Sequence, residues 1–344
     1  MADNETLDPE PAASDAAAAR PADVVLNVVE FIQRWGRPLV PVLVLPALIG
    51  LFTAFESRFI SITNLNVMLT QAGPLLMISL GATLVVLMGS IDLSVGAIAA
   101  LSAAAAAVLI SDHGWGTAGF ILTIFIGMAL GGVNAFCSIA LRLPSFIVTL
   151  GTLSIFTGIT LHILSGRAVF VDELPFEWLA RGEGIPDVPN TFLAAIIVWV
   201  LLVFMNRYTR FGRYLVAIGA GEPVAALSGV PVRRYKTLAF MVSGATAGFG
   251  GAILLLQLGS ATPSLGNQYL LDSIAAIVIG GTALTGGVGG MPRTLLGVAL
   301  LTVLSNGLNV TGVSIFTQDI LRGLVVILAV LVTIDRGRMQ NLVK

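Results

Sequence analysis

The chain has 344 residues, of which 56% are hydrophobic and 11% are charged, and its formal net charge is −1 at pH 7. A mean hydropathy of +0.95 excludes an ordinary soluble domain, in which about a quarter of the residues carry a charge. No basic tract interleaved with aromatic residues is present, so nothing indicates nucleic-acid binding. The single cysteine, Cys137, lies in an apolar segment and excludes a disulfide within the chain.

The N-terminal region differs in composition from the rest of the chain. Residues 1–23 are rich in alanine, proline and acids, which is typical of a disordered tail, and they lack the basic start and apolar core of a cleavable signal peptide. Residues 24–37 place Val24, Val28 and Ile32 on one helical face. We therefore expect an amphipathic helix lying along the membrane surface there.

Residues 38–335 form the predicted membrane domain, because long uncharged blocks follow one another and a spanning helix needs about 20 mostly apolar residues. Division of these blocks at glycine, proline and polar breaks predicts an all-α polytopic integral membrane protein with about ten transmembrane helices. The predicted spans are 38–55, 65–88, 94–111, 118–141, 145–165, 190–206, 237–257, 271–287, 294–311 and 316–334.

The distribution of Lys and Arg predicts the orientation of these spans. With an inner N-terminus, the outer side keeps only four of the 18 basic residues, namely Arg58, Arg167, Arg181 and Arg322. We therefore expect both termini in the cytoplasm, with residues 336–344 as a cytoplasmic tail. The cytoplasmic basic residues would be Arg20, Arg34, Arg37, Arg142, Arg207, Arg210, Arg213, Arg233, Arg234, Lys236, Arg293, Arg336, Arg338 and Lys344.

Five polar residues within or beside apolar spans are candidates for a solute path or a hinge: Asp92, Ser94, Asn134, Asn306 and Asn309. Such side chains face protein or a water-filled path rather than lipid. Asp92 precedes a span directly and could instead be its N-cap, with Ser94 as the rival cap. The asparagines could instead make only hydrogen bonds between helices.

An acidic outer loop, 166–189, carries five Asp and Glu residues together with Phe176 and Trp178. It is either a connector whose amphipathic turn rests at the lipid interface or a docking surface for a periplasmic partner. The sequence leaves both alternatives open.

A basic inner loop, 206–236, holds six Lys and Arg residues against the single acid Glu222. Its length exceeds what a simple connection needs. The middle of the loop carries helix signals, because Gly221 and Glu222 can cap a start, Pro223 suits the first turn, and Gly229 ends the run. We expect a short helix that contacts a cytoplasmic partner through Glu222, Pro223, Ala225, Ala226, Leu227, Ser228 and Gly229.

Signatures of bound nucleotide or metal are lacking in the sequence. A phosphate-binding loop needs Gly-Lys-Ser/Thr, whereas the two lysines follow Tyr235 and Val343. The two histidines have no metal-ligand spacing to each other or to the cysteine. The glycine-rich stretch 280–290 favours close helix packing or a broken helix over a dinucleotide loop. We expect a protein that is not an enzyme and has no cofactor.

Five segments in the same order resemble one family over about residues 40–335. The chain resembles the permease subunit of ribose-type carbohydrate-uptake ABC transporters of bacteria, within the branched-chain amino acid and sugar permease superfamily. Ser90 and Ser145 depart from the residues that are common in this family. The matching segments are 89–96 (GSIDLSVG), 143–158 (LPSFIVTLGTLSIFTG), 210–229 (RFGRYLVAIGAGEPVAALSG), 271–287 (LDSIAAIVIGGTALTGG) and 305–312 (SNGLNVTG).

The resemblance implies a type II-like ABC importer permease fold in the bacterial inner membrane, surrounded by lipid. It also implies a dimer of permeases, cytoplasmic ATPase subunits and a periplasmic sugar-binding protein. The helix at 222–229 would then be the coupling helix that fits a groove of the ATPase. A faint similarity between 76–101 and 274–300 favours two pseudo-symmetric halves.

The expected function is uptake of a monosaccharide or a related sugar by alternating access, driven by a separate ATPase. The first alternative is a proton-coupled secondary transporter that uses Asp92, Asp272 or a pair formed by Asp319 and Arg322, which share a helix face. The second alternative is a membrane scaffold that transports nothing.

Overall fold

The structure, a computed structural model, describes residues 40–172 and 176–333. The predictions for the two tails and for the interfacial helix at 24–37 lie outside these residues. The longer helices are α1 (Val40–Phe55), α2 (Ile62–Leu87), α3 (Val95–Ser111), α4 (Gly116–Ala135), α5 (Ser145–Ile163), α7 (Asn190–Tyr208), α10 (Val232–Leu258), α11 (Asn267–Ile279), α12 (Met291–Val310) and α13 (Ile315–Thr333).

Shorter elements connect these helices. The short helices are α6 (Glu177–Arg181), α8 (Arg210–Ala220) and α9 (Glu222–Leu227), and a π turn, Phe136–Ala140, extends α4. The strands are β1 (Val169–Phe170), β2 (Glu183–Ile185), β3 (Val188–Pro189) and β4 (Ser260–Ala261).

The prediction of a polytopic all-α membrane protein is confirmed. Six of the described helices are long and apolar enough to cross a membrane: α2, α4 with its π turn, α5, α7, α10 and α12. The apolar helices α1, α3 and α11 are shorter. Each predicted span overlaps one of the longer helices, whereas the count of ten membrane crossings stays a prediction.

The centre of the bundle is built on α2 and α10. From Leu75 to Leu87 every residue of α2 is buried, so this half of the helix faces only protein, and the polar side chain of Thr83 bonds within the bundle. Helix α10 packs against α4 with almost no side chain between the backbones, because a Cβ atom at Gly127 would clash with the carbonyl oxygen of Gly244. Small residues allow this close approach of two helices inside a membrane protein.

The predicted span 271–287 is wrong at its C-terminal half. Helix α11 ends at Ile279, and residues 280–290 form an irregular loop before α12 begins at Met291. The physical reason is the backbone of Gly281, Gly286 and Gly287, whose φ angles are +89°, +83° and +75°. A right-handed helix cannot continue through such angles, which glycine adopts readily.

The acidic loop 166–189 is partly folded onto one end of the bundle. Strand β1 pairs with β4, which joins the segment after α5 to the segment after α10. The ring of Phe176 lies 5.2 Å from that of Phe120, and Leu179 is buried, whereas Trp178 is exposed. The loop is therefore anchored to the bundle through Phe176 and Leu179.

Candidate coupling site and solute path

The inner loop contains a helix that the sequence analysis missed. Helix α8 is amphipathic, with Gly212, Leu215 and Ile218 buried at three-residue spacing. The hydroxyl of Thr209 caps its start by accepting a hydrogen bond of 3.2 Å from the amide of Phe211. This spacing and the capping threonine are the sequence signals that could have revealed the helix.

The predicted short helix is present as α9. The carbonyl of Gly221 accepts a hydrogen bond of 2.9 Å from the amide of Ala225, and Pro223 lies in the first turn. The helix ends at Leu227, so Ser228 and Gly229 follow it instead of belonging to it. Gly229 has a φ of +82°, which ends the helix as expected.

The outer face of α9 is apolar and exposed. Val224 is 68% exposed and Leu227 is 90% exposed, whereas Ala225 is buried against the rest of the protein. The groove beside α9 is lined by Ala226 together with Arg233 and other residues of the segment that leads into α10. Two exposed apolar side chains beside cationic ones suit a protein partner better than bulk water.

The C-terminal end of α8 lies where two irregular segments, 88–94 and 280–290, interrupt the helix bundle. The amide of Gly287 donates a hydrogen bond of 2.9 Å to the carbonyl of Leu87, the last residue of α2. Gly219 lies against both, because a Cβ atom there would clash with the oxygen of Leu87 and approach the nitrogen of Gly287 to 2.5 Å. We call the meeting point of Leu87, Gly219 and Gly287 the glycine crossing. It connects α9, through α8, to the irregular segments 88–94 and 280–290.

Three of the candidate polar residues form one buried network. Oδ1 of Asp92 accepts hydrogen bonds from the amide of Ser94 at 2.9 Å and from its hydroxyl at 2.7 Å. Nδ2 of Asn134 donates to the hydroxyl of Ser94 at 2.7 Å, and the hydroxyl of Thr152 donates to Oδ1 of Asn134, also at 2.7 Å. The network ties segment 88–94 to α4 and α5.

The proposed cap at Asp92 is wrong. Helix α3 begins at Val95 with Ser94 as its N-cap residue, and the hydroxyl of Ser94 bonds to Asp92 and Asn134 instead of to an amide of the helix. Asp92 and Asn134 are buried, and Oδ2 of Asp92 has no hydrogen-bond partner in the described part of the chain.

The other two candidates, Asn306 and Asn309, serve different contacts although both lie on α12. Asn306 is buried and exchanges two side-chain hydrogen bonds with Asn64, at 2.8 and 3.0 Å. Asn309 is exposed and lines a polar cavity of about 200 Å³ among α2, α11, α12 and α13. The structure therefore does not bring these asparagines to the network of Asp92.

Two of the charged residues that the sequence analysis considered for proton coupling, Asp272 and Arg322, line this polar cavity. Nη1 of Arg322 lies 3.5 Å from Oδ1 of Asp319, which confirms the predicted contact, and 4.0 Å from Oδ2 of Asp272. Asp272 lies well inside α11. Over residues 40–172 and 176–333, no group of three or more His, Cys, Asp or Glu residues could hold a metal ion.

Arg293 has a structural contact that explains a charge at the start of α12. Its Nη1 donates a hydrogen bond of 2.7 Å to the carbonyl of Gly281, and so closes the irregular loop 280–290. Nε1 of Trp199 donates to the carbonyl of Met291 at 3.0 Å and ties the start of α12, directly after this loop, to α7.

Comparison with known proteins gives consistent matches over most of the chain. Residues 64–330 match the family described as branched-chain amino acid transport system / permease component. No solved structure matches the chain.

Several curated proteins are similar over nearly their full length. The ribose import permease protein of Bacillus subtilis (strain 168) is 39% identical over 303 residues, which cover 87% of this chain and 92% of that protein. The ribose import permease protein of Escherichia coli (strain K12) is 34% identical over 306 residues, covering 88% and 95%. The D-allose transport system permease protein of the same strain is 32% identical over 291 residues, covering 83% and 88%.

Proposed function

The chain belongs to the permease-component family of branched-chain amino acid transport systems, with the ribose-type import permeases among its relatives, and we propose that it is the membrane-spanning subunit of an ABC importer for a monosaccharide. The observation that carries this proposal is α9, a capped helix with an exposed apolar face, in a chain related to sugar import permeases. A separate ATPase subunit binds this face and supplies the energy.

The proposed orientation places α9 in the cytoplasm. The positive-inside rule supports it, since the inner loop alone holds six of the 18 Lys and Arg residues. Both termini are then cytoplasmic in the bacterial inner membrane, and loop 166–189 faces the periplasm. A periplasmic sugar-binding protein delivers the solute there, and a second permease copy completes the transporter.

The contacts around α9 suggest how a displacement of this helix by the ATPase is transmitted to the solute path. Helix α9 follows α8 directly, and α8 ends at the glycine crossing, where the irregular segments 88–94 and 280–290 meet. ATP binding in the partner would shift α9 and α8 together. Tightly packed helices move as rigid bodies, so the two breaks would serve as hinges for alternating access.

Proton coupling remains the alternative function, because Asp272 and Arg322 lie beside a polar cavity within the helix bundle. Charged groups at such positions are typical of proton relays in secondary transporters. An ABC permease needs no proton gradient. Collapse of uptake by an uncoupler at constant ATP would favour the alternative.

The substitution Ala226→Arg tests the docking of α9. Ala226 is exposed on α9, so arginine there should leave the fold of the permease intact and block contact with the ATPase. We expect loss of ATPase-dependent uptake in the reconstituted complex. His113→Arg, at an exposed turn between α3 and α4, is the matched control. Unchanged coupling between ATP hydrolysis and uptake in Ala226→Arg would refute the docking role.

A further inference from the structure

The cavity among α2, α11, α12 and α13 is lined by more polar and charged side chains than the packing of these helices requires. Its deeper wall includes Thr302, Asp272 and Arg322, and its exposed rim includes Gln71, Gln268 and Asn309. Polar side chains at the depth of membrane spans face water or protein rather than lipid. The cavity is therefore open to water or to a neighbouring protein.

Several of these polar groups have no partner within the protein. Among the residues that the structure describes, the side chains of Gln71, Ser305 and Asn309 make no hydrogen bond to another residue. The buried Nε of Arg322 has no partner either. A buried polar group without a partner is costly, which applies to Nε of Arg322. The exposed amides of Gln71 and Asn309, by contrast, are free to bind a ligand that supplies both donors and acceptors.

The cavity lies far from α9. Gln71 comes 16 residues before Leu87 on α2, which corresponds to about 24 Å along the helix axis. Leu87 belongs to the glycine crossing beside α8. The polar cavity and the coupling helix therefore lie toward opposite ends of the bundle, as expected for a site where solute enters.

We propose that this cavity is the entry site at which the permease receives a neutral monosaccharide, an inference that rests on the proposed function. Amide groups of Gln71 and Asn309 can each donate to and accept from sugar hydroxyls, and the carboxylate of Asp272 accepts. Leu75 and Leu301, which also line the cavity, offer an apolar surface for the C–H groups of the ring. The two charged residues that line the cavity, Asp272 and Arg322, are of opposite sign. Asp319 beside Arg322 lies outside the lining with its side chain 65% exposed, so the lining itself favours an uncharged solute.

The test uses the complete transporter in proteoliposomes, with permease, ATPase and sugar-binding protein. Labelled D-ribose and D-allose are the probes. The sugar that the parent transporter imports is then used to compare the variants with the parent. Asn309→Leu removes an amide at nearly constant size, and Ser305→Ala removes a hydroxyl with the best helix-forming residue in its place. We expect at least a tenfold loss of sugar imported per ATP hydrolysed, with ATPase stimulation by the binding protein retained.

The matched control is Thr70→Val, one residue from Gln71 on α2, because the Thr70 hydroxyl bonds to the carbonyl of Asn66 in its own helix. It should keep the parental ratio of import to hydrolysis. Parental ratios in both Asn309→Leu and Ser305→Ala would overturn the entry site and leave the proposed function intact. A parent that imports neither sugar nor any other neutral monosaccharide would overturn both.

Singly deoxygenated analogues of the imported sugar give a second readout that a purely structural role would not move. If Asn309 binds one hydroxyl of the sugar, the parent should import the analogue that lacks this hydroxyl less well than the sugar itself. The variant Asn309→Leu should import the two equally well. The same binding protein serves both variants, so its own selectivity cancels in the comparison. Equal discrimination by parent and variant for every analogue would contradict direct contact with the sugar.

Discussion

Nζ of Lys236 donates a hydrogen bond of 2.9 Å to Oε2 of Glu222, and this ion pair joins the first residue of α9 to the first turns of α10. The side chain of Lys236 is 16% exposed and that of Glu222 is 51% exposed. Helix α10 packs in the centre of the bundle against α2, α3 and α4. The start of the short surface helix is therefore held twice, by α8 directly before it and by this ion pair to α10.

Removal of the ion pair should weaken coupling more than stability. Exposed ion pairs contribute about 0.2–1 kcal/mol, so we expect Lys236→Met to change the free energy of unfolding little. Because α9 loses a direct contact with α10, uptake per ATP hydrolysed should fall severalfold in proteoliposomes. Arg213→Met is the control, because the exposed Arg213 on α8 forms no ion pair among the described residues. This variant should keep the parental uptake per ATP hydrolysed. Equal loss in both variants would show that the effect comes from charge alone.

The glycine crossing should not tolerate a methyl group at Gly219. A Cβ atom there clashes with the backbone of Leu87 and Gly287, so Gly219→Ala should cost about 1–3 kcal/mol of stability by overpacking. Thermal unfolding in detergent and ATP-driven uptake both report the effect. Gly221→Ala is the control, since Gly221 is extended, with a φ of 175°, and its nearest Cβ neighbour is 3.8 Å away. A Gly219→Ala protein as stable as the control would contradict the close backbone packing.

The buried network around Asn134 should contribute measurably to stability. Asn134→Leu removes the hydrogen bonds to Ser94 and Thr152 at nearly constant volume, and we expect a loss of about 1–3 kcal/mol. Ser102→Ala on α3 is a matched test, because the buried Ser102 hydroxyl has no partner among the described residues. That change should be neutral or stabilising. The network would have no special role if the two variants unfolded at the same denaturant concentration.

Local signals made much of the architecture predictable from the sequence. Helix α9 was predictable because its signals are local: Pro223 lies in its first turn, and Gly229, with a positive φ, follows its end. Likewise, the contact of Asp319 with Arg322 follows from their spacing on one helix. The C-terminal limit of α11 was misplaced because an apolar run with glycines is compatible with both a helix and a break.

The polar cavity and the glycine crossing could not be predicted in the same way. Gln71 and Arg322 line one cavity because α2 and α13 both pack against α11. The hydrogen-bonded pair of Asn64 with Asn306 joins residues 242 positions apart in the chain. Hydropathy marks which segments enter the membrane and leaves open which faces of the helices meet. Contacts of this kind depend on tertiary packing, for which a single sequence carries no local signal.

The most direct test of the account is sugar uptake into proteoliposomes that contain the permease with or without the ATPase subunit, in the presence of the binding protein. We predict accumulation only when the ATPase and ATP are both present on the side of α9, with no change when an uncoupler abolishes the proton gradient. Accumulation by the permease alone, driven by a proton gradient, would contradict the account.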